Sequence, residues 1–233
     1  MRLYVLQMAL LPANGIPAVS YLIQTDDGTN VLVDTGFPKG FSAPNMGVQL
    51  ADQDYIVSQL ATLGLVPDDI RYLVCTHFDQ DHAGSHDAFP NAELIVQRQH
   101  YDVARSGECE RFERVRAHWD HPSLRYRLVD SDTTLLPGIE LVETSGHVPG
   151  HQSVLVRLPE TGPVLLTIDA VTRSAHFASD RQELGPHDMD AGETLASTRK
   201  LVALAQREDV GLVIFGHDPE QWPTLKRAPE CYQ

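Results

Sequence analysis

The chain has 233 residues, of which 42% are hydrophobic and 21% charged, as in ordinary globular proteins. Its 32 acidic and 18 basic residues give a net charge of −14, which argues against nucleic-acid or anionic-membrane partners. The three cysteines, Cys75, Cys109 and Cys231, have no paired spacing, so we expect a reducing, cytoplasmic compartment and no thiolate metal site.

Strand signals dominate the start of the chain. Apolar runs predict strands at 2–8, 18–25 and 30–36. The first run has some features of a signal peptide, but Gln7 interrupts it and no small-residue cleavage site follows, so a strand is favoured. The next predicted element is a helix at 52–64, which Gly64 would cap.

Further strands are predicted at 70–76, 92–97, 138–144, 152–158, 164–169 and 210–218. Residues 98–125 are charged and helix-like without a clean period, so we expect a surface excursion there. A helix is predicted at 190–208, where Asp190 and Glu193 have capping-box spacing. Because no Gly/Ser-rich or Pro-rich linker divides the chain, residues 1–233 are predicted to form one domain.

Histidines and aspartates are concentrated directly after the predicted strands. The segment 77–82, HFDQDH, follows the strand at 70–76, and three later strands lead to His147, Asp169 and His217. A lone His or Asp at a strand end is more often a turn or surface residue. Imidazole and carboxylate, however, are the usual ligands of divalent metals where cysteine is absent. The clustering therefore predicts a metal site built from loops.

Four segments, in this order, resemble the metallo-β-lactamase superfamily and most of all its N-acyl-homoserine lactonase branch: THFDQDHAG, SGHVPGHQS, LLTIDA and FGHDPEQ. The resemblance runs from Val31 to the C-terminus. It implies an α+β fold, a four-layer αββα sandwich with two divalent metal ions at one edge. Zinc is the metal that the family implies.

The resemblance also implies roles for individual residues. The first metal would be held by His77, Asp79 and His147, the second by Asp81, His82 and His217, and both by Asp169. Asp81 would also pass a proton to the leaving group. Asp34 would lie behind the ligands or cap a turn, and His151 would support the site or the fold. Surface placement is expected for the six other histidines: His86, His100, His118, His121, His176 and His187.

Two positions depart from the pattern of the related lactonases. Those enzymes usually carry His at the position of Asp79, and Tyr at the position of Thr172, where the phenol contacts the substrate carbonyl. A carboxylate is a harder ligand than imidazole, so Asp79 is predicted to favour manganese, iron or cobalt. The alternative is that Asp79 faces solvent. Thr172 is predicted to lie at the substrate, although its side chain is too short to replace a phenol.

The leading functional hypothesis is a lactonase that opens the ring when a hydroxide shared by two metals attacks the ester carbonyl. N-acyl-homoserine lactones are the first candidate substrates, which would make the enzyme quorum-quenching. The alternatives are the same site acting on another ester, thioester or amide, a di-iron redox enzyme, and a non-catalytic binding module. Redox relatives carry a carboxylate where Asp79 stands, but normally have a flavin-binding domain for which this chain offers no room. A homodimer through 36–55, or a substrate-edge role for that stretch, is a further hypothesis.

Overall fold

Two β-sheets face each other in the computed structural model, which describes residues 1–44 and 48–233. The first sheet has the strand order β1-β2-β3-β6-β7-β8. Its strands are β1 (Arg2–Leu10), β2 (Pro17–Gln24), β3 (Asn30–Val33), β6 (Ile70–Val74), β7 (Glu93–Gln97) and β8 (Arg125–Val129). Pairing is antiparallel from β1 to β3 and parallel from β3 to β8.

The second sheet has the order β13-β12-β11-β10-β9. Its strands are β9 (Thr133–Leu136), β10 (Ile139–Glu143), β11 (Gln152–Leu158), β12 (Gly162–Ile168) and β13 (Leu212–Phe215). Only β12 and β13 pair in parallel. A two-stranded ribbon, β4 (Ser42–Ala43) and β5 (Val48–Gln49), lies in the stretch 36–55. Residues 45–47 of that stretch lie outside the described residues, so its hypothesised role at a substrate or dimer edge stays a hypothesis.

Helices cover the outer faces of both sheets. They are α1 (Ile56–Thr62), α2 (Arg98–Ser106), α3 (Glu110–Glu113), α4 (Arg116–Trp119) and α5 (Ala191–Arg207). The first four contribute to one apolar cluster with the first sheet, and α5 packs through Leu201 and Leu204 on the second. Of the helices in 1–44 and 48–233, none is both long and apolar enough to cross a bilayer.

Strand alternation explains why four layers form. Val154 and Val156 of β11 lie in the core between the sheets, whereas Leu155 between them packs on the α5 side. In β3, Val31 and Val33 face the same central core and Leu32 faces the other way, toward the first four helices. Successive side chains of a strand point to opposite faces, so these strands are apolar on both. The predicted αββα sandwich is confirmed.

The helix-like character expected for residues 98–125 is confirmed, but the expectation of a surface excursion was wrong. This segment forms α2, α3 and α4, and its Phe112 and Trp119 side chains are fully buried. Trp119 stacks on Phe78, with ring centroids 4.6 Å apart, and donates its indole N–H to the carbonyl of Phe112. This burial was not predictable, because the segment is mostly charged and helices this short give no measurable hydrophobic period. The segment is therefore part of the wall beside 77–82.

Candidate metal centre

Seven side chains from loops after four strands converge between the two sheets. The loop after β6 supplies His77, Asp79, Asp81 and His82, and the loops after β10, β12 and β13 supply His147, Asp169 and His217. Ligand atoms in each of two groups lie within 4.8 Å of one another: His77, Asp79, His147 and Asp169 in the first group, and Asp81, His82 and His217 in the second. The structure therefore brings together all seven of the predicted ligands.

The first group has the dimensions of a tetrahedral metal site. Asp79 Oδ2 lies 3.2 Å from His77 Nε2 and 3.3 Å from His147 Nε2. Asp169 Oδ2 lies 3.7 and 3.3 Å from the same two nitrogens. Four ligands at about 2.0–2.2 Å from one ion would be separated by about 3.3–3.6 Å in a regular tetrahedron. The four atoms thus enclose a space of the right size for a small divalent ion.

Asp169 also belongs to the second group by distance. Its Oδ2 is 3.6 Å from His82 Nε2, and its Oδ1 is 3.1 Å from His217 Nε2. Asp81 Oδ2 is 3.8 Å from His82 Nε2 and 3.6 Å from His217 Nε2. One carboxylate, Asp169, thus contacts all four site imidazoles, which is the position of a ligand shared by two ions.

The four imidazoles all present Nε2 to the centre, because each Nδ1 is engaged elsewhere. The Nδ1 contacts are His77 to Thr76 Oγ1 at 3.0 Å, His82 to Asp34 Oδ2 at 2.9 Å, His147 to Asp188 Oδ1 at 3.1 Å and His217 to the Pro17 carbonyl at 2.7 Å. A carbonyl or carboxylate can only accept, so these contacts place the proton on Nδ1. An Nδ1–H held in this way leaves the Nε2 lone pair for a metal.

Asp34 fixes the orientation of site histidines without belonging to either group of candidate ligands. It follows β3 with a φ of 60° and is fully buried. Its Oδ1 accepts the backbone N–H of Thr76 at 2.9 Å, and its Oδ2 accepts the Thr76 hydroxyl at 2.7 Å. The Thr76 hydroxyl is thereby committed as a donor, so its oxygen accepts from His77 Nδ1. Asp34 consequently orients two of the site histidines, one directly and one through Thr76.

His151 and Thr172 lie beside the cluster without joining it. His151 is buried, with Nδ1 2.8 Å from Thr144 Oγ1, and its Nε2 accepts the backbone N–H of Asp169 at 3.2 Å. Both ring nitrogens are used, so His151 holds the backbone of Asp169 in place. Burial, followed by the charge of His77, holds the pKa of His151 well below its usual range. Thr172 is half-buried, and its carbonyl accepts the backbone N–H of His217 at 3.0 Å.

Asp79 does not face solvent, which excludes the alternative raised for it. Its residue exposure is 8%, and its carboxylate faces the guanidinium of Arg111. Arg111 Nε donates to Oδ1 at 2.5 Å and Nη2 donates to Oδ2. Sequence reasoning missed Arg111, because it lies in the four-residue helix α3 and belongs to no motif.

Sequence reasoning also misplaced two histidines. His86 and His100 are both fully buried, not at the surface as expected. His100 Nε2 accepts the backbone N–H of Phe78 at 2.8 Å, and its Nδ1 donates to the carbonyl of Pro149 at 2.9 Å. Burial lowers the pKa of His100 to about 4, so the ring is neutral. It therefore ties the loop of residues 77–82 to the loop that carries His147.

The chain reaches Asp169 in a strained conformation. Ile168, directly before Asp169, has a φ of 51°, which is rare for a β-branched residue and costs about 1–3 kcal/mol. Gly216, directly before His217, faces this point. A Cβ there would lie 2.4 Å from the Ile168 carbonyl oxygen and 2.7 Å from Asp169 Oδ1. Only glycine fits where the ends of β12 and β13 bring Asp169 and His217 together.

The chemistry of the cluster fits divalent metal ions. His77 Nε2, His82 Nε2 and Asp169 Oδ1 are buried, and none of them has a hydrogen-bond partner among the described residues. Such atoms cost about 1–3 kcal/mol each when left unsatisfied. Burial alone would raise the pKa of Asp169, but the neighbouring histidines hold it well below its usual range, so it is a carboxylate. Lone pairs and carboxylates converging in a buried space are the donor set that a divalent cation satisfies.

Known proteins share both the sequence and the fold. The family model for the metallo-beta-lactamase superfamily matches residues 13–217. An N-acyl homoserine lactonase of Bacillus sp. is 35% identical over 227 residues, which cover 92% of this chain and 86% of that protein. The N-acyl homoserine lactonase AttM of Azorhizobium caulinodans is 37% identical over 190 residues, covering 78% of this chain and 71% of AttM.

Two solved structures extend the likeness to three dimensions. A quorum-quenching N-acyl homoserine lactone lactonase superimposes with a TM-score of 0.86 at 31% identity, covering 99% of this chain and 98% of that one. An N-acyl homoserine lactone hydrolase, with N-hexanoyl-L-homoserine bound at its catalytic metal center, superimposes with a TM-score of 0.82 at 30% identity. This match also covers 99% of this chain and 98% of that one. With a family model that spans most of its length and relatives of this identity, the chain belongs to the metallo-β-lactamase superfamily.

Proposed function

We propose that this chain is a metal-dependent lactonase that hydrolyses N-acyl homoserine lactones. The observation that carries the proposal is the convergence of four Nε2 lone pairs and three carboxylates at one buried point, in a chain about one-third identical to lactonases of that specificity. The reaction adds one water across the ring ester. The acyl C–O bond breaks, the acyl carbon gains a hydroxyl, and the ring oxygen takes a proton.

We infer that two divalent ions serve this reaction. His77, Asp79 and His147 would hold one, Asp81, His82 and His217 the other, and Asp169 both. When bound, the ions would supply Lewis-acid polarisation of the ester carbonyl and a hydroxide nucleophile at neutral pH. Zinc suits the imidazoles, whereas the oxygen ligand Asp79 shifts the preference toward manganese, iron or cobalt.

The remaining tasks fall to side chains at the mouth of the site. Asp81 is the most exposed of the three site carboxylates, with 24% of its side chain accessible, against 11% for Asp79 and 5% for Asp169. An incoming substrate therefore reaches Asp81 first, and we assign to it the transfer of a proton to the leaving ring oxygen. Thr172, beside His217, would border the substrate carbonyl, where its short hydroxyl leaves more space than a phenol.

A second candidate activity is hydrolysis of another ester or thioester at the same site. It is favoured by Thr172 and Asp79, because these two departures from the lactonase pattern alter the substrate side and the metal side of the pocket. We propose residues 1–233 as one hydrolase domain, since a single central core joins strands from both halves of the chain.

A substrate panel tests the proposal. The metal-loaded protein would be given N-hexanoyl- and N-decanoyl-homoserine lactone, a simple γ-lactone, an acyclic ester and a thioester, and acid release would be followed by pH-stat. We expect the acyl-homoserine lactones to react fastest, with a product heavier than substrate by the mass of one water. Faster turnover of the acyclic ester or thioester would favour the second candidate, and no turnover of any compound would refute both.

A further inference from the structure

The guanidinium of Arg111 contacts two of the four candidate ligand residues of the first group, Asp79 and His147. Its Nη2 donates to Asp79 Oδ2 and lies 2.6 Å from His147 Nε2. Those two atoms are also two corners of the tetrahedron described above, 3.3 Å apart. The other two guanidinium nitrogens also donate: Nε to Asp79 Oδ1, and Nη1 to the carbonyl of His187.

A guanidinium in this position and a metal ion at the first group exclude each other. An ion bound to Asp79 Oδ2 and His147 Nε2 would lie about 2.0–2.2 Å from each atom. Nη2 occupies the single Nε2 lone pair of His147, which cannot bind an ion at the same time, and it also occupies an acceptor position of Asp79 Oδ2. Arg111 also cannot lose its proton to relieve the repulsion, because a guanidinium stays charged in proteins.

The carboxylate of Asp79 makes this competition between the guanidinium and a metal ion possible. A carboxylate accepts the two parallel N–H groups of an arginine fork, whereas an imidazole at the same position offers one lone pair and no charge. Both carboxylate oxygens of Asp79 accept from the guanidinium, Oδ1 from Nε and Oδ2 from Nη2, so Asp79 is paired with Arg111 through two hydrogen bonds.

The second group has no comparable competitor. Among residues 1–44 and 48–233, no Lys or Arg nitrogen lies within 4.0 Å of the Asp81 or Asp169 carboxylates, whose ion-pair contacts are all with histidines. Arg111 also has a route out of the first group, since 24% of its side chain is accessible and it stands on the short helix α3. Displacement of Arg111 would break its contacts with Asp79, with His147 and with the carbonyl of His187.

We propose that Arg111 is a built-in counter-cation that competes with the first metal for Asp79, so that the two metal sites fill in order and with unequal affinity. The second group, Asp81, His82 and His217 with Asp169, binds first. The first group binds only when an ion displaces the guanidinium. This inference rests on the proposed metal binding but not on lactonase activity.

The test is metal titration of the chelator-treated protein with Zn²⁺ and, separately, Mn²⁺, against a chromophoric chelator. Wild type would be compared with Arg111→Met and Arg111→Gln, which remove the charge in two different shapes. Arg114→Met is the matched control, because Arg114 is exposed, lies on the same segment and carries the same charge. Circular dichroism would establish that each variant is folded.

We expect the wild type to show two dissociation constants, of which both Arg111 variants tighten only the weaker. A charged hydrogen bond contributes about 1.5–3 kcal/mol, so the gain should be at least about tenfold. Arg114→Met should change neither constant. In an Asp79→His background the gain on removing Arg111 should shrink, because the charged partner is gone.

The possible failures are distinguishable. Two equal constants that Arg111→Met and Arg111→Gln leave unchanged, or a weaker constant that deteriorates in both, would overturn the competition and leave the metal centre standing. An absence of tight binding in wild type and in every Arg111 variant would overturn the proposed metal centre together with the competition.

Discussion

Asp34 and His82, 48 positions apart in sequence, are joined by a 2.9 Å hydrogen bond from His82 Nδ1 to Asp34 Oδ2. The carboxylate at the end of β3 thereby fixes the direction of an imidazole that follows β6. Both side chains are almost inaccessible to solvent. The direction in which His82 presents its Nε2 therefore depends on a residue that is itself closed to solvent.

Replacing Asp34 by Asn should weaken metal binding without removing any proposed ligand. An amide cannot match the charged acceptor of His82, and loss of such a partner typically costs ~10–100-fold in metal affinity. Competition titration with Zn²⁺ would measure it, with Asp102→Asn, an exposed position, as the control. Unchanged affinity in a folded Asp34→Asn protein would contradict the supporting role.

Metal content and thermal stability should rise together. Protein purified without chelator is expected to approach two equivalents of divalent metal by elemental analysis, and dialysis against a chelator should remove them. An ion that binds only the folded state at 100 times its Kd adds about 2.7 kcal/mol to the free energy of unfolding. A melting temperature that does not respond to Zn²⁺ or Mn²⁺, with metal content near zero after supplementation, would contradict the metal centre.

Asp169→Ala should lose both metal and activity. Its carboxylate contacts all four site imidazoles, so one truncation removes a ligand from each group. His121→Ala, at an exposed position, serves as the control and should keep both properties. If Asp169→Ala retains two equivalents of metal and most of its turnover, the shared-ligand assignment is wrong.

Thr172→Tyr should alter lactone kinetics at constant metal content. The added phenol would reach farther into the space beside His217, where Thr172 is attached through a backbone hydrogen bond. We expect KM or kcat to change for acyl-homoserine lactones, while elemental analysis stays the same. Thr62→Tyr, exposed at the end of α1, is the control. Wild-type kinetics on every lactone would place Thr172 outside the pocket.

Asp79→His should change which metal the enzyme prefers. Imidazole is a softer ligand than carboxylate, so the variant should favour zinc, and wild type should use manganese, iron or cobalt relatively better. Chelator-treated forms would be reconstituted with each ion and assayed on one lactone. Asp102→His should keep the wild-type ranking. Identical rankings for wild type and Asp79→His would show that Asp79 does not set the preference.

The proposed ligands were predictable because they lie in loops that follow strands and because the ordered motifs resemble a known family. The apolar run at 70–76 ends one residue before His77, and strand ends meet where parallel strands pair, as β12 and β13 do near Asp169 and His217. The other candidate ligands of this loop, Asp79, Asp81 and His82, were predictable from their spacing after His77 within 77–82. The αββα layers were predictable from the ordered motifs together with apolar runs that the sheets bury on both faces.

Arg111, Asp188 and His100 were not predictable for a physical reason. Each acts through a contact distant in sequence: Arg111 with Asp79, Asp188 with His147, and His100 with Phe78. No periodicity or local spacing in the sequence predicts such a contact. The segment 98–125 in particular looks polar because a few large side chains, Trp119 among them, supply most of its packing.

The glycine at position 216 bears on how this enzyme can diversify. With a Cβ excluded by the carbonyl of Ile168 and by Asp169, the junction of β12 and β13 admits almost no change. The neighbourhood of Arg111, in contrast, belongs to short helices whose exposed positions are free to vary. A mutational library should therefore show near-complete intolerance at Gly216 and broad tolerance at the exposed positions of residues 105–114.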